Sequence, residues 1–252
     1  PLGANTTLAN APEIYVWNGP GSIRVGVWAA ARITNFPATK NTPGTDVVTR
    51  KRAAQALDQM YQKNITCAIA LLHMGYENTN YPDPSDVITM QMFAREGFDI
   101  VAACHSHRIS GYSCAAMRHN DRPAFCFYGL GSLASGCIYS ELEREGLLLV
   151  IDLDSSGSIK NIGIRSIYLD SLGMGSIPSV EVNRRILQRF EKVSAEISEG
   201  SYVHLYYQEM SQGILHKLAS DVFIAFRKAG PKSIVHKLRR LRMRHIKLIL
   251  YQ

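Results

Sequence analysis

The sequence has no apolar run long enough to cross a bilayer: runs such as "GLLLVI" at 146–151 fall well short of the roughly 20 residues a membrane helix needs. It opens on Pro1 with no basic start followed by an apolar stretch, so no signal peptide is legible, although an upstream start would hide one. Cysteine is scarce and odd in number, five in 252 residues, with no Cys-x-x-Cys pair. That argues against a disulfide framework and a zinc ribbon; Cys67, Cys104 and Cys126, each inside an apolar run, read as packed free thiols. Acidic residues are absent from Arg227 to the end, where nine Lys or Arg occur. Elsewhere 19 basic residues face 21 acidic ones, so the net charge of +7 belongs to the tail and not to a basic surface over the whole chain. Internal repeats and low-complexity segments are also missing.

What is present is a globular composition, 46% hydrophobic and 19% charged, enough for a sizeable core. "SIRVGVWAA" (22–30) alternates like a strand, and the Asn, Pro, Thr and Gly of 35–46 read as a loop. "TRKRAAQALDQMYQKN" then reads as an amphipathic helix with Ala54, Leu57, Met60 and Tyr61 on its inner side. "ITCAIALLH" (65–73) is continuously apolar, as a strand covered on both faces must be. "DPSDVITMQMFAREGFD" carries a cap, a helix and a terminal Gly97, and "DIVAAC" is a further buried strand. Strand, helix, strand, helix, strand predicts an α/β fold with parallel members. "PAFCFYGLGSL" is a strand entering a glycine-rich turn, and the two runs around "DSSGS" form a hairpin; both are expected on the antiparallel side of a mixed sheet. The chain reads as helical from about 178.

The chemistry gathers where strands end. His105 and His107, two apart, can reach the same side of an emerging strand. Two readings stand for such a pair: imidazoles bonded to backbone or water, or metal ligands. "AIALLHMGYEN" repeats the arrangement with His73, Gly75 and Glu77, and ligands of open α/β sheets collect at the carboxyl ends of strands. Imidazoles and carboxylates together suit Zn²⁺, Mn²⁺ or Fe²⁺. In "CFYGLGSL", Gly131 and Ser132 offer a turn whose N–H groups and hydroxyl could meet an anion, or an ordinary tight turn.

"HMGYEN" resembles a His-Trp-Gly-x-Glu segment, "DIVAACHSHRISG" an Asp-x-Val-x-Gly-His-His-Pro-His segment, and "FYGLGSL" a Tyr-Ser-Leu-Gly-Asn-Phe turn. In order and spacing these three blocks resemble the CapA family of capsule, or poly-γ-glutamate, biosynthesis proteins, a branch of the calcineurin-like metallophosphoesterases. The resemblance covers about residues 1–170. It implies a four-layer α/β/β/α sandwich, partial here, with His73, His105 and His107 as metal ligands and Glu77 and His107 as metal-binding or acid/base residues. It also implies Gly131 and Ser132 beside an anionic substrate, and two divalent ions (Mn, Fe or Zn) in the complete protein. The activity implied is metal-dependent phosphoester hydrolysis or transfer on an anionic polymer or phosphorylated substrate, with other capsule-synthesis proteins as partners; a non-catalytic structural or regulatory subunit of such an assembly and a general metallophosphoesterase are the alternatives. The family's earlier metal-binding blocks are not in this chain, which reads as the downstream part of a longer protein. Cys104 stands where the family has a histidine, and both a thiolate ligand and a packed residue stand as readings of it; Ser106, Met74 and Ser132 also depart from the family's residues.

The expected organisation is a CapA-like domain over 1–175 and a helical extension over 176–252. Within the extension, 231–249 places Ile234, Leu238, Leu241 and Leu248 at helical spacing among basic residues. A docked helix, contact with a membrane surface and a nucleic-acid contact remain open for it; the lack of an aromatic stacking platform weighs against the last. The compartment, cytoplasmic or membrane-associated, is left open.

Overall fold

The structure is a computed structural model that describes residues 3–213, apart from 6, 8, 9, 33, 34, 119–121, 137 and 139. The expected basic stretch at 231–249 lies outside the described residues. Residues 1–199 form one compact unit and 200–252 another; residues 202–213 of the second are helical.

The first unit is a mixed α/β fold. In chain order its elements are β1 (Ala4–Asn5), β2 (Ile14–Asn18), β3 (Arg24–Ala31), β4 (Gly44–Thr45), α1 (Arg50–Gln62), β5 (Cys67–Met74), α2 (Pro84–Glu96) and β6 (Ile100–His105). There follow β7 (Ile109–Ala116), β8 (Pro123–Leu130), a 3-10 turn (Glu141–Arg144), β9 (Glu145–Leu153), β10 (Ile159–Leu169), β11 (Gly175–Ser176) and α3 (Val180–Glu199). Six strands make the main sheet in the order β2-β3-β5-β6-β8-β7. Its centre, β3-β5-β6-β8, is parallel, and the edge strands β2 and β7 are antiparallel to their neighbours.

The "DSSGS" hairpin departs from expectation. It forms β9 and β10, which join β11 in a second, three-stranded sheet instead of extending the first. A hairpin signal fixes the partner across its turn and leaves open which sheet receives it. Strands β2 and β7 were not anticipated from sequence.

The apolar parallel strands are buried on one face by α1 and α2. Trp28 of β3 stacks on Phe98 and tilts against Phe93 of α2. Helix α2 starts at Asp83, whose side chain accepts from the Ser85 N–H, and stops at Gly97, whose φ of +139° suits glycine. The inner side of α1 is only partly the expected one: Met60 is buried and Leu57 half-buried as expected, but the face is turned. Arg52, Ala53, Ala56 and Met60 are buried, whereas Tyr61 is 86% exposed and Ala54 is exposed. The face turns because Arg52 is paired: its Nε donates to the buried Asp46 carboxylate at 2.7 Å, and Asp46 also accepts from Trp28 Nε1 at 2.9 Å. A satisfied ion pair can occupy a core position that unpaired arginine could not.

The opposite face of the main sheet meets the second sheet and α3. Ile100, Ala102, Ile109, Phe127, Leu147, Ile186 and Phe190 form the core there, and Tyr112 of β7 stacks on both Phe127 and Phe190. Thus α3 belongs to the first compact unit. It is tied further to β9 by Glu145, a fully buried carboxylate paired with Arg185 and Arg189.

Candidate functional site

Strands β5 and β6 lie side by side and parallel, with His73 level with Cys104 and Met74 with His105. The two sequence blocks thus end at one edge of one sheet. At that edge the His73 and His105 rings are in contact, centroids 4.5 Å apart, and the His105 and His107 centroids are 6.4 Å apart. The strand-end backbone is unusual: His105 has φ +129° and His107 φ +57°, conformations that side chains other than glycine rarely adopt. Non-glycine residues held this way cost about 1–3 kcal/mol each and cluster at functional sites. Asn78, after Glu77, is similar at φ +64°, and its N–H donates to the Ser106 carbonyl at 2.8 Å, tying the two blocks together.

The groups act on one another electrostatically. Burial first, then the adjacent His73 and also His107, hold the His105 imidazole below its ordinary pKa, while Glu77 opposes them. His105 is therefore biased toward the neutral form, which is the form that donates a lone pair to a metal. Glu77 and His107 are both exposed.

Cys104 corrects an expectation. Cys67 and Cys126 are buried, and burial pushes both thiols up to about 12, so they are inert packing groups. Cys104 is exposed instead, with its sulfur 3.8 Å from His73 Nδ1. Its side of β6 continues the face of the buried Ala102, and at the strand end the side chain is partly covered but still reaches solvent. Desolvation by its surroundings still raises its pKa, so without a ligand it is a neutral thiol and not a poised nucleophile.

Gly131 and Ser132 follow β8 at the same sheet edge, where Gly131 forms an isolated bridge with Gly146 and so joins the two sheets. A Cβ at Gly131, whose φ is +69°, would lie 2.1 Å from the Glu145 carbonyl oxygen, so only glycine fits the junction. The Ser132 N–H donates to that same carbonyl at 3.1 Å. Its hydroxyl is buried and has no hydrogen-bond partner among the described residues. The hydroxyl, not the N–H, is therefore what the turn has to offer a ligand.

The donor set fits one side of a divalent-metal site: imidazoles in contact, one of them biased neutral, with a thiol beside the other. Among the described residues, no group of three His, Cys, Asp or Glu side chains closes around a position for an ion.

A family model described as bacterial capsule synthesis protein PGA_cap matches residues 1–136, more than half of the chain. No curated protein matches. Among solved structures, a 5'-nucleotidase precursor from Thermus thermophilus aligns at 16% identity and TM-score 0.43, over 77% of this chain and 38% of its own. An NAD nucleotidase from Haemophilus influenzae aligns at 12% identity and TM-score 0.41, over 72% of this chain and 35% of its own. The chain thus spans little more than a third of either structure, and at these scores neither likeness assigns it a chemistry.

Proposed function

We propose that this chain, which belongs to the bacterial capsule synthesis family PGA_cap, contributes a metal-dependent, phosphoesterase-like site to the assembly of an anionic, poly-γ-glutamate-type capsule polymer. The observation that carries the reading is the contact of the His73 and His105 rings at the ends of adjacent parallel strands. His73, His105 and His107 would hold divalent ions, and the chemistry such ions supply is Lewis-acid polarisation of an ester oxygen and activation of water. Glu77 and His107, both exposed, would take or give a proton at a bound substrate, His107 only where its ring is not held by an ion. The Ser132 hydroxyl, unpartnered at the end of β8, is a donor for an anionic oxygen.

The test is elemental analysis of the purified full chain beside a His105→Ala/His107→Ala double variant. Metal retained by the parent protein and lost from the variant supports the reading. Equal metal in both, or none in either, overturns it.

A second reading rests on the open donor set: with no group of three closed among the described residues, the chain could serve capsule assembly as a non-catalytic structural or regulatory subunit. A metal-free protein that still assembles with other capsule-synthesis proteins would favour it.

A further inference from the structure

We infer that Cys104 is a metal ligand, and that its thiolate together with His73 makes this a mixed nitrogen and sulfur site selective for a soft divalent ion such as Zn²⁺ over Mn²⁺ or Mg²⁺. The inference rests on the metal-cleft reading above and goes beyond it by naming a donor and a selectivity.

The geometry points to the pair. Zinc holds sulfur at about 2.3 Å and imidazole nitrogen at about 2.0–2.1 Å, so two such ligands at a tetrahedral angle stand about 3.5 Å apart. Cys104 Sγ and His73 Nδ1 are 3.8 Å apart, within a few tenths of an ångström of that separation. The pair is held by the sheet itself, since His73 and Cys104 are register partners on β5 and β6. The side chains therefore share one face without relying on a flexible loop. Two features distinguish Cys104 from a packing cysteine: it is exposed, whereas Cys67 and Cys126 of the same sheet are buried, and its sulfur lies beside an imidazole at a strand end. His105, whose ring touches that of His73, is the nearest further imidazole.

Thiolate is a soft donor. It favours Zn²⁺ over Mn²⁺ and Mg²⁺, which prefer oxygen. Binding would release the thiol proton to solvent while the sulfur lone pair forms the metal bond, so uptake should become tighter as pH rises.

Cobalt(II) reports thiolate ligation directly. Metal-free full chain is titrated with Co²⁺ and its absorption recorded for the parent, Cys104→Ser, Cys104→His and Cys114→Ser, the last removing the other exposed described cysteine. The expected result is a near-ultraviolet thiolate-to-cobalt band in the parent and Cys114→Ser, absent from both Cys104 variants. Cys104→His, which restores an imidazole, should keep the visible ligand-field bands. Zn²⁺ should displace the cobalt and Mn²⁺ should not, and Cys104→Ser should weaken Zn²⁺ binding by more than about tenfold. Ligand-field bands without the thiolate band, or a thiolate band that survives in Cys104→Ser, would overturn the inference and leave the metal cleft standing. No cobalt uptake by any form would overturn both. Circular dichroism of each variant confirms that a lost band is not a lost fold.

Discussion

The face of the main sheet that looks toward the second sheet has two halves of similar composition and opposite fate. On β6 and β8, Ile100, Ala102 and Phe127 are 1%, 4% and 2% exposed beneath the second sheet and α3. On β2 and β5, register puts Tyr15, Trp17 and Leu71 on the same face, and these are 57%, 48% and 42% exposed. The strands are about equally apolar, so the difference comes from what lies over them. The second sheet has β9 as one of its edges, and Tyr15, Trp17 and Leu71 are left partly open while Ile69 of β5 still packs against the covered core. His73 and Cys104 sit at the strand-end border between the halves, which is why groups continuing buried runs are open to solvent.

The strongest test of this comparison is to cut into the covered half. Phe127→Ala removes a ring that stacks on Tyr112 and has no space to relax, and should cost about 3–5 kcal/mol of unfolding free energy in urea titration. A cost below about 1 kcal/mol would mean that the second sheet and α3 do not close over this half.

The matching change in the open half should cost much less. Leu71→Ser and Trp17→Ser remove side chains that are only about half covered, so each should cost on the order of 1 kcal/mol, well below Phe127→Ala. Binding of a hydrophobic dye should fall in the double variant, because the apolar patch shrinks. A loss comparable to that of Phe127→Ala would show that this half is covered in solution, by a second copy or by another part of the protein, and a concentration-dependent loss would identify the copy.

How much of this was legible in the sequence follows the same division. The apolar runs of β5, β6 and β8 and the capped helix α2 announce themselves, because both faces of a central parallel strand must be apolar. Strand β7, "ISGYSCAA", does not. Its small residues are there because α3 comes close: a Cβ on Gly111 would lie 2.6 Å from the Ser194 backbone nitrogen. Locally, Ser and Gly read as a loop; Ser194 of the helix that demands them lies 82 residues on from Tyr112. The histidines were legible because they end two apolar runs at similar spacing. The exposure of Cys104 was not, since it depends on where the second sheet stops, and a strand's own sequence carries no record of its neighbour's width. The rotated face of α1 was hidden for a similar reason: Arg52 turns inward only because Asp46, at the end of a loop, is waiting for it.

The smallest expected effect lies at the far end of β6 from the histidines and tests whether that end is as dry as the middle. Asp99 is 4% exposed, accepts from the Ala68 N–H at 2.8 Å and pairs with Arg122 at 2.6 Å. Burial raises its carboxyl above the ordinary value, outweighing the hydrogen bond and the arginine, which act the other way. A carboxyl whose folded pKa lies above its unfolded value holds more protons in the native state between the two. Its contribution therefore favours folding at the acid end of that window and is lost as pH rises through the folded pKa. Asp99→Asn keeps an oxygen for the Ala68 N–H and removes the titration. Urea midpoints measured for both proteins from pH 6.5 down toward 4 should show the parent gaining on the variant as pH falls. The opposite slope would mean that Arg122 governs the carboxylate and that water reaches this end of the covered half.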